Sequence, residues 1–587
     1  MFLFMQKPKR LSQIIKHALV GVIAVILAVL LKPHSAKAQE QFETSYDITY
    51  QVNQQGETTV TQKIKIENLE EDILATTYSV TVKQMDIYDI SGSDTAGNLE
   101  INTKRDSEQG TIALSTELNE KVIGKGRANE LTITYKTKDL ANKVGNIWNI
   151  NLPRTANVDE VKKYDVALKV PDSFGPVIFI SPNPKNEDNE GTLKVFKYSK
   201  EELSGKSITA AFGSNQYLNF KLNYHLENPA VLPGKQEIAL PPSIKGQQEV
   251  YYEKLTPRPE SIRFDKDGNV MAIYKIKPNS DLQIELVGTA KTFAKQINPE
   301  YGGKMAELPD AIVKTYTQDQ IYWEVEAPKI QEIAEELFDP DENVAENAQN
   351  AYGYVTENLE YNYDVVKEDF IERQGALGAI TREEPWACME FTDLFIALTR
   401  AMGIPARELN GYAFSNTEDL APVSVDLKSG DMLHAWAEFY DPNFGWVPVD
   451  PTWGSTSKID YFTKLDTNHM AFVVKGVSSE YPFPAGSYRT DPDEKQVNID
   501  FAEQQRDFTP RVEIDKKITW NPLKLFANKR KYEIKHLEGP VLKNLSDTGK
   551  DLLPFEKRVI YLDKNADEIT YQDYNNVTGI IPLKMAD

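Results

Sequence analysis

The residues best suited to chemistry in this chain are one cysteine and two side chains that follow it. Cys388 is the only cysteine among 587 residues. A single thiol excludes an intrachain disulfide, a zinc site with two or more thiolates and an iron–sulfur cluster. It also argues against a lipoprotein anchor, which needs a cysteine at the signal cleavage point. Two interpretations of Cys388 remain: it is a catalytic nucleophile, or it is a buried structural cysteine.

The surroundings of Cys388 favour the nucleophilic interpretation. Apolar side chains follow it at helical spacing, and Gly403 and Pro405 stop the predicted helix. Because Cys388 comes just after Pro385, we place it in the first turn of that helix. There the helix dipole and the unpaired N–H groups favour a thiolate and can later hold an oxyanion. The apolar positions are Phe391, Leu394, Phe395, Leu398 and Met402.

A thiolate nucleophile needs a base, and six histidines are available. His434 begins a predicted strand, and a second strand ends at Asp450. Pairing Tyr440 with Phe444 would bring Asp450 opposite His434 on one sheet face, where a carboxylate fixes the imidazole tautomer. Alternatively, Asp450 caps a turn and His434 is a satisfied structural histidine. The joint pattern predicts a Cys–His–Asp triad.

The first 38 residues have the pattern of a secretory signal peptide. Basic residues from Lys7 to Lys16 precede an uncharged run, Ala18 to Leu31, and Ala36-Lys37-Ala38 supplies a small-x-small cleavage motif. The run is shorter than the roughly 18 to 20 residues that span a bilayer, so an uncleaved anchor is the alternative. We therefore expect export to the periplasm or the extracellular space, with membrane contact only through this segment.

The composition is that of a globular protein of several domains. Hydrophobic residues make up 41% of the chain and charged residues 26%, with a mean hydropathy of −0.47. A length of 587 residues favours three or four domains. The net charge of −22 at pH 7 becomes more negative without residues 1–38, which contain no acidic residue. Such a surface repels nucleic acid, which we exclude as a partner.

The first three hundred residues are predicted to be all β. Apolar and polar residues alternate on both sides of a turn at Asn53 to Gly56, which is typical of a β-hairpin. Similar patterns predict a β-sandwich domain over 39–215 and a second β domain over 216–315. The run Asp265 to Asn269 looks like a calcium loop, but Ile276 stands where an EF-hand needs a bidentate acid. A hairpin turn is predicted there instead.

The periodicity becomes helical near Pro328. The apolar residues Ile330, Ile333 and Leu337 share one face, and a second predicted helix runs from about residue 344 to 355. We predict an α+β core over 316–477. The remaining residues, 478–587, are polar and aromatic with short strand-like pieces, and we predict an accessory β region.

The motifs of this core resemble the transglutaminase-like superfamily, which has a papain-like fold. The resemblance covers about residues 347–476, and the motifs follow in the order that the family has. They are Asn358-Leu359-Glu360-Tyr361, Cys388-Met389-Glu390-Phe391-Thr392, Gly403-Ile404-Pro405-Ala406-Arg407, Asn410-Gly411-Tyr412, His434-Ala435-Trp436 and Gly445-Trp446-Val447-Pro448-Val449-Asp450-Pro451-Thr452. Residues 218–292 resemble the β domain that often precedes this core in bacterial members.

The resemblance implies a role for each residue of the triad. Cys388 would be the nucleophile, His434 the general base and acid, and Asp450 the carboxylate that orients the imidazole. His469 matches a motif on the closing strand of the family, which implies a structural role. We expect no cofactor and no metal.

The residues before Cys388 differ from those of animal transglutaminases, which have Gly-Gln or a similar pair. Trp386 and Ala387 stand there instead. The first group that we name as a hydrogen-bond donor to the oxyanion is therefore the Cys388 N–H. The second donor is not assigned. Glutamine crosslinking is correspondingly less well supported than the thiol chemistry itself.

These roles predict an enzyme that forms a thioester from an amide bond of a protein or peptide and passes the acyl group to an amine or to water. The loop 415–430 is a candidate for the segment that determines whether an amine or water reaches the thioester. Trp436, Trp446 and Trp453 would line an acyl-donor tunnel or belong to the core. The alternatives are a cysteine peptidase or amidase on the same fold, and a non-catalytic adhesion or scaffold protein of the cell envelope. The oligomeric state is not predicted.

Overall fold

The computed structural model describes residues 41–583 apart from 84, 108–109, 154–157, 205, 363–371, 383–385, 415–424, 427–431, 491–492, 503–505, 517–528, 547, 564 and 575. The predicted signal segment and most of the loop 415–430 lie outside the described residues. The chain divides into two compact units. The first takes the described residues of Met1–Leu140, Thr155–Pro171 and Pro184–Gly205, and the second those of Ala141–Arg154, Asp172–Asn183 and Lys206–Asp587.

The described residues from 41 to 212 fold mainly as strands. The strands are β1 (Phe42–Val52), β2 (Thr58–Asn68), β3 (Thr77–Lys83), β4 (Tyr88–Asp94), β5 (Gly97–Leu99), β6 (Asn102–Asp106), β7 (Thr111–Glu117), β8 (Ala128–Thr137), β9 (Ala141–Val144), β10 (Ile147–Leu152), β11 (Lys163–Pro171), β12 (Val177–Ser181), β13 (Asn186–Glu190), β14 (Leu193–Tyr198) and β15 (Ile208–Phe212). Short helices interrupt them at Val158–Glu160, Asp172–Phe174 and α1 (Lys200–Leu203).

The first unit contains an eight-stranded sheet in the order β13-β14-β11-β1-β2-β8-β4-β5 and a three-stranded sheet in the order β3-β7-β6. The predicted hairpin is β1–β2, whose turn is closed by Asn53: its Oδ1 accepts the N–H groups of Gln55 and Glu57. Buried and more exposed residues alternate along β2, as the period of two requires. The hairpin prediction is confirmed.

The second unit begins with the four-stranded sheet β12-β15-β10-β9 and continues into a longer β region. This region holds β16 (Gln216–Asn228), β17 (Gly234–Leu240), β18 (Gln248–Thr256), β19 (Ser261–Phe264), β20 (Val270–Ile276), β21 (Ser280–Thr292) and β22 (Lys295–Gln296). The turn from Asp265 to Asn269 joins β19 to β20, so the predicted hairpin turn is confirmed.

Helices and a sheet form the predicted core. The helices are two short 3-10 turns at Pro299–Tyr301 and Met305–Glu307, then α2 (Asp310–Tyr316), α3 (Pro328–Leu337), α4 (Val344–Asn358), α5 (Gly375–Thr381), α6 (Cys388–Ala401) and α7 (Pro451–Ser457). The strands are β23 (Ala406–Ala413), β24 (Val425–Asp426), β25 (Met432–Asp441), β26 (Gly445–Val449), β27 (Lys464–Leu465) and β28 (His469–Lys475). The sheet order is β24-β25-β23-β28, with β26 paired to β25.

The C-terminal region is rich in strands, as predicted. It holds β29 (Val497–Phe501), β30 (Arg511–Lys516), β31 (Lys529–Glu538), β32 (Lys557–Asp563), β33 (Glu568–Gln572) and β34 (Thr578–Pro582). The predicted architecture, N-terminal β domains followed by an α+β core and a β-rich C-terminal region, is confirmed. The predicted boundaries between these parts stay predictions. No helix among the described residues is long and apolar enough to cross a membrane.

Helix α6 is the centre of the core because almost all its residues are buried. Apolar residues on successive turns pack against α3, α4 and the sheet, as the sequence pattern predicts. The helix ends at Gly403, whose φ of +82° is a conformation that glycine favours. Arg400 donates to the carbonyl oxygens of Ala406 and Gly476, which fixes this end of α6 to the sheet.

The edge strand β28 is held by two amide side chains from the preceding β domain. Gln248 donates to the Ala471 carbonyl oxygen and accepts its N–H at 2.9 and 2.8 Å. Asn269 does the same with Val474 at 2.7 and 2.8 Å. Each amide therefore takes the place of a neighbouring strand, and the backbone groups of this edge are satisfied.

Replacing Asn269 by alanine should destabilise the core. The substitution leaves the N–H and carbonyl of Val474 without their partners, and we expect a loss of about 2 to 3 kcal/mol in the free energy of unfolding. Chemical denaturation followed by tryptophan fluorescence measures this loss. The control is Lys266→Ala in the same turn, which is exposed and should stay within about 0.5 kcal/mol of the wild type. Equal stability of the two variants would contradict the assignment.

Candidate active site

Cys388 lies where the sequence predicts, at the first residue of α6. It is 3% exposed, and its position in the first turn leaves its N–H without an intrahelical partner. The chain leading to it is fixed by two hydrogen bonds, from Asn362 N to the Trp386 carbonyl oxygen and from Trp386 N to that of Glu360, at 2.9 and 2.8 Å. The lead-in motif therefore pairs with the residues directly before the thiol.

His434 and Asp450 are in direct contact, but the predicted register is wrong. Asp441 pairs with Gly445, not Tyr440 with Phe444, so the hairpin is shifted by two residues. The reason lies in the turn, where Asp441 Oδ1 accepts the N–H of Phe444 and Gly445 takes a φ of +71°. Strand β26 ends at Val449.

Asp450 therefore reaches His434 from the start of a helix and not from a paired strand. It is the N-cap of α7, and its Oδ1 accepts the Trp453 N–H at 2.9 Å. Its Oδ2 lies 2.8 Å from His434 Nε2. The sequence left open whether Asp450 caps a turn or holds His434. In the structure the same carboxylate does both. Asp450 has no exposed surface and His434 is 2% exposed.

The contact fixes the tautomer of His434 and shifts the pKa of both partners. Burial disfavours the imidazolium, but the Asp450 carboxylate and the Cys388 thiol outweigh it and raise the pKa of His434 to about 9. Burial also disfavours the Asp450 carboxylate, but His434 and His469 outweigh it and lower its pKa to about 2. Because Nε2 donates to Asp450, Nδ1 is the nitrogen left for Cys388.

His469 contacts the same carboxylate, which the sequence analysis missed. Its Nε2 lies 3.2 Å from Asp450 Oδ2, and its Nδ1 lies 2.9 Å from Asp466 Oδ1. Burial disfavours the imidazolium of His469, but Asp466 and Asp450 outweigh it and raise its pKa to about 9. No sequence spacing indicates this contact, because it depends on how β28 lies beside α7.

His434, Asp450 and His469 each place a potential ligand atom within 4.8 Å of the others. This is the group of side chains within the described ranges that comes nearest to a metal site. The distances of 2.8 and 3.2 Å from the imidazole nitrogens to one carboxylate oxygen are hydrogen-bond lengths, so the atoms face each other and not a common centre. We assign the group as a hydrogen-bonded network.

A cavity of about 320 Å³ opens onto the thiol and the imidazole. Its lining combines apolar side chains with a connected polar group, called the polar wall below, which consists of Arg373, Glu408, Asn410 and Lys475. Gly411 pairs with His434 across the sheet and lines the cavity; a Cβ there would collide with the Met470 carbonyl oxygen. Part of the wall comes from the C-terminal region, which the sequence analysis treats as accessory. These residues are Glu480, Phe483, Pro484 and Ser487.

The polar wall is organised around Glu408, which is completely buried. Its Oε2 accepts from Arg373 at 2.8 Å, and its Oε1 accepts from Asn410 Nδ2 at 2.7 Å. Lys475 Nζ lies 3.7 Å from Oε1. Burial disfavours the carboxylate, but Arg373 and Lys475 outweigh it and lower the pKa of Glu408. Asn410 Oδ1 is buried and accepts no hydrogen bond from the residues that the structure describes.

The three tryptophans that the sequence offered for a tunnel lie elsewhere. Trp436 and Trp453 are buried beside the two histidines, with ring centroids 6.0 and 5.5 Å from His434. Trp446 stacks under the Arg407 guanidinium at 3.8 Å. None of the three is among the described residues that line the cavity, which favours their interpretation as core residues.

Comparison with known proteins agrees with the resemblance seen in the sequence. Residues 331–451 match the family model described as the transglutaminase-like superfamily. This span contains Cys388, His434 and Asp450. This part of the chain is therefore a transglutaminase-like core.

Two bacterial relatives share part of the chain. YebA of Bacillus subtilis (strain 168), described as an uncharacterized protein, is 28% identical over 202 residues, which are 34% of this chain and 25% of that protein. An uncharacterized protein of Haemophilus influenzae is 27% identical over 135 residues, 21% of this chain and 35% of the relative. This chain thus spans about a quarter of the length of the Bacillus subtilis relative and about a third of the length of the Haemophilus influenzae relative.

A solved structure from Cytophaga hutchinsonii, described as a candidate cysteine protease, is similar to this chain with a TM-score of 0.32. The sequence identity is 19%, and the match covers 49% of this chain and 98% of that one.

The raised pKa values of His434 and His469 predict how stability depends on pH. The folded state holds both protons up to a pH of about 9, whereas the unfolded chain releases them near 6.5. The stability that they contribute is therefore complete below about pH 6.5 and is lost as the pH rises through about 9. We expect the melting temperature of the wild type to fall more steeply between about pH 7 and pH 9.5 than that of the double variant His434→Gln, His469→Gln.

The control for this measurement is His225→Gln, which lies outside the network and should follow the wild type. Parallel melting curves for the wild type and the double variant would show that the two imidazoles do not hold their protons in the folded state.

Proposed function

We propose that this protein is an exported thiol enzyme that breaks amide bonds of proteins or peptides through a thioester on Cys388. His434 is the base and acid, and Asp450 orients it. The observation that carries the proposal is the state of His434: Nε2 is bound to a buried carboxylate, while Nδ1 is left for the Cys388 thiol, which lines the same cavity. An imidazole with one nitrogen fixed by a carboxylate and the other available to a thiol is what nucleophilic catalysis requires.

The reaction follows from these positions. In the reactive form His434 Nδ1 holds the proton of Cys388 as an imidazolium, and the thiolate attacks the carbonyl carbon of the amide. The Cys388 N–H at the start of α6 donates to the resulting oxyanion. When the carbon–nitrogen bond breaks, His434 returns the proton to the leaving amine, and the acyl group remains on sulfur as a thioester. A primary amine or water then attacks the thioester and releases the acyl group.

The polar wall of the cavity supports an amide as the acyl donor. Asn410 lines the cavity, and its Nδ2 donates to Glu408, which leaves Oδ1 as a buried acceptor with no donor among the described residues. An amide or peptide unit brings an N–H for this acceptor and a carbonyl oxygen for the Lys475 ammonium. A substrate without this N–H would leave the buried Asn410 Oδ1 without a hydrogen bond, which costs binding free energy.

Export is part of the proposal and rests on the sequence of the first 38 residues. A net charge of −22 helps to keep an exported protein soluble in the periplasm or the extracellular space, where substrates are envelope or secreted proteins. The same charge opposes binding to nucleic acid.

The test is to incubate the reduced protein with a glutamine-rich protein and a fluorescent primary amine, and to identify the products by mass spectrometry. Incorporation of the amine would establish acyl transfer. New termini, or deamidation without label, would identify water as the acceptor and the protein as a peptidase or amidase. The blank is Cys388→Ala, which should fold normally because it removes one small buried side chain.

If the wild type yields no product beyond the Cys388→Ala blank with any of these readouts, the catalytic proposal is wrong. A non-catalytic adhesion or scaffold role would then be the better account.

His434→Ala provides an independent prediction that needs no substrate. Without the imidazole, the Cys388 thiolate loses its partner, and we expect alkylation by iodoacetamide at neutral pH to slow by at least about tenfold. Since the chain has one cysteine, the mass of the intact protein reports the reaction directly. An unchanged rate would remove His434 from its role as base.

A further inference from the structure

The buried side chain that the proposed mechanism leaves unused is His469, and it rests against the catalytic carboxylate. Asp450 Oδ2 is shared by two imidazole nitrogens, His434 Nε2 at 2.8 Å and His469 Nε2 at 3.2 Å. Both rings and the carboxylate are shielded from water. One oxygen therefore holds the base on one side and a second histidine on the other.

The hydrogen-bond partners of His469 determine its charge. Each of its two nitrogens faces a carboxylate oxygen, Asp466 Oδ1 at 2.9 Å and Asp450 Oδ2 at 3.2 Å. An ionised carboxylate only accepts hydrogen bonds, and a neutral imidazole has only one N–H. Both contacts are satisfied together when His469 carries two protons.

The surroundings of the ring also favour a cation. Trp453 and Trp436 place their ring centroids 4.4 and 5.2 Å from that of His469. Aromatic rings at this distance attract positive charge. Tyr461 donates to Asp466 Oδ2 at 3.3 Å and so fixes the anion on the far side. The charge of the imidazolium is thus compensated by two carboxylates and two indole rings.

We propose that His469 is a positioning residue of the catalytic site: an imidazolium held between Asp466 and Asp450, which fixes the carboxylate oxygen that orients His434. This inference rests on the proposed function, because it gives His469 a role in the same reaction. His469 does not reach the cavity and touches no reacting atom. It acts through Asp450.

The positive ring also limits how basic His434 becomes. The centroids of the two imidazoles lie 5.9 Å apart, so a cation at His469 disfavours a second cation at His434. The His469 imidazolium also neutralises part of the negative charge of Asp450, which would otherwise stabilise a protonated His434. Both effects lower the pKa of His434 relative to a site without His469. Among the described residues, two further titratable residues contact the backbone of Asp450, namely Tyr352 and Tyr461. Those that line the cavity together with His434 are Tyr322, Arg373, Cys388, Glu408, Lys475 and Glu480.

The first experiment measures the charge of His469 without reference to activity. Histidine is labelled with carbon-13 at Cε1 in the whole protein, and each of the few ring resonances is assigned by a His→Gln variant. We expect the His469 resonance to keep its imidazolium position from about pH 6 to about pH 8. A resonance that titrates near the ordinary histidine value would overturn the proposal, whether or not the protein is an enzyme.

The second experiment measures the effect of that charge on the base. His469→Gln keeps an N–H donor for Asp450 and removes the charge, whereas His469→Ala removes both. In His469→Gln the alkaline limb of the kcat/KM profile should move up by about one pH unit. His469→Ala should move the limb likewise and also lower kcat by about 10- to 100-fold, because Asp450 loses a partner that holds it in place.

The control is His225→Gln, which should leave the profile unchanged. A purely structural His469 would lower the amount of folded enzyme in both variants without moving the limb, and that result would overturn the proposal. If the proposed function itself is wrong, the result is different. The wild type then shows no turnover that depends on Cys388, while the resonance of His469 still keeps its imidazolium position.

Discussion

The structure of the site depends on one carboxylate that has no access to water. A buried charge is stable only when its hydrogen-bond positions are filled, and Asp450 fills them from three directions. Its Oδ1 caps α7 through the Trp453 N–H, and its Oδ2 receives His434 and His469. Because the carboxylate is fixed by the helix it begins, it can hold the imidazole without support from a paired strand. The orientation of the His434 imidazole is therefore a consequence of helix capping.

The supports of this arrangement come from parts of the chain that are distant in sequence. Helix α6 presents Cys388 and is anchored by Arg400, while β28 presents His469 and is held at its edge by Gln248 and Asn269. The C-terminal region adds β29 to the sheet of the preceding β domain and supplies part of the cavity wall. The β regions on both sides of the core thus help to build the site.

The sequence predicted much of this site because its signals are local. A helical period with a glycine stop placed Cys388 in a first turn, and alternation placed His434 on a strand. The predicted register of the hairpin was wrong, since it depends on the side chain of Asp441 and the backbone of Gly445, which shift the pairing by two residues. The contact of His469 with Asp450 was missed because contacts between α7 and β28 are made in the tertiary structure and leave no periodic pattern.

The most direct test of the central claim is to trap the acyl group on sulfur. The protein is mixed with an amide donor, quenched in acid within seconds and measured by intact-mass spectrometry, before and after hydroxylamine. The account predicts an adduct on Cys388 that hydroxylamine removes and that Asp450→Asn forms much more slowly, although asparagine still caps the helix. An adduct on another residue, or a donor consumed equally by Cys388→Ala, would contradict it.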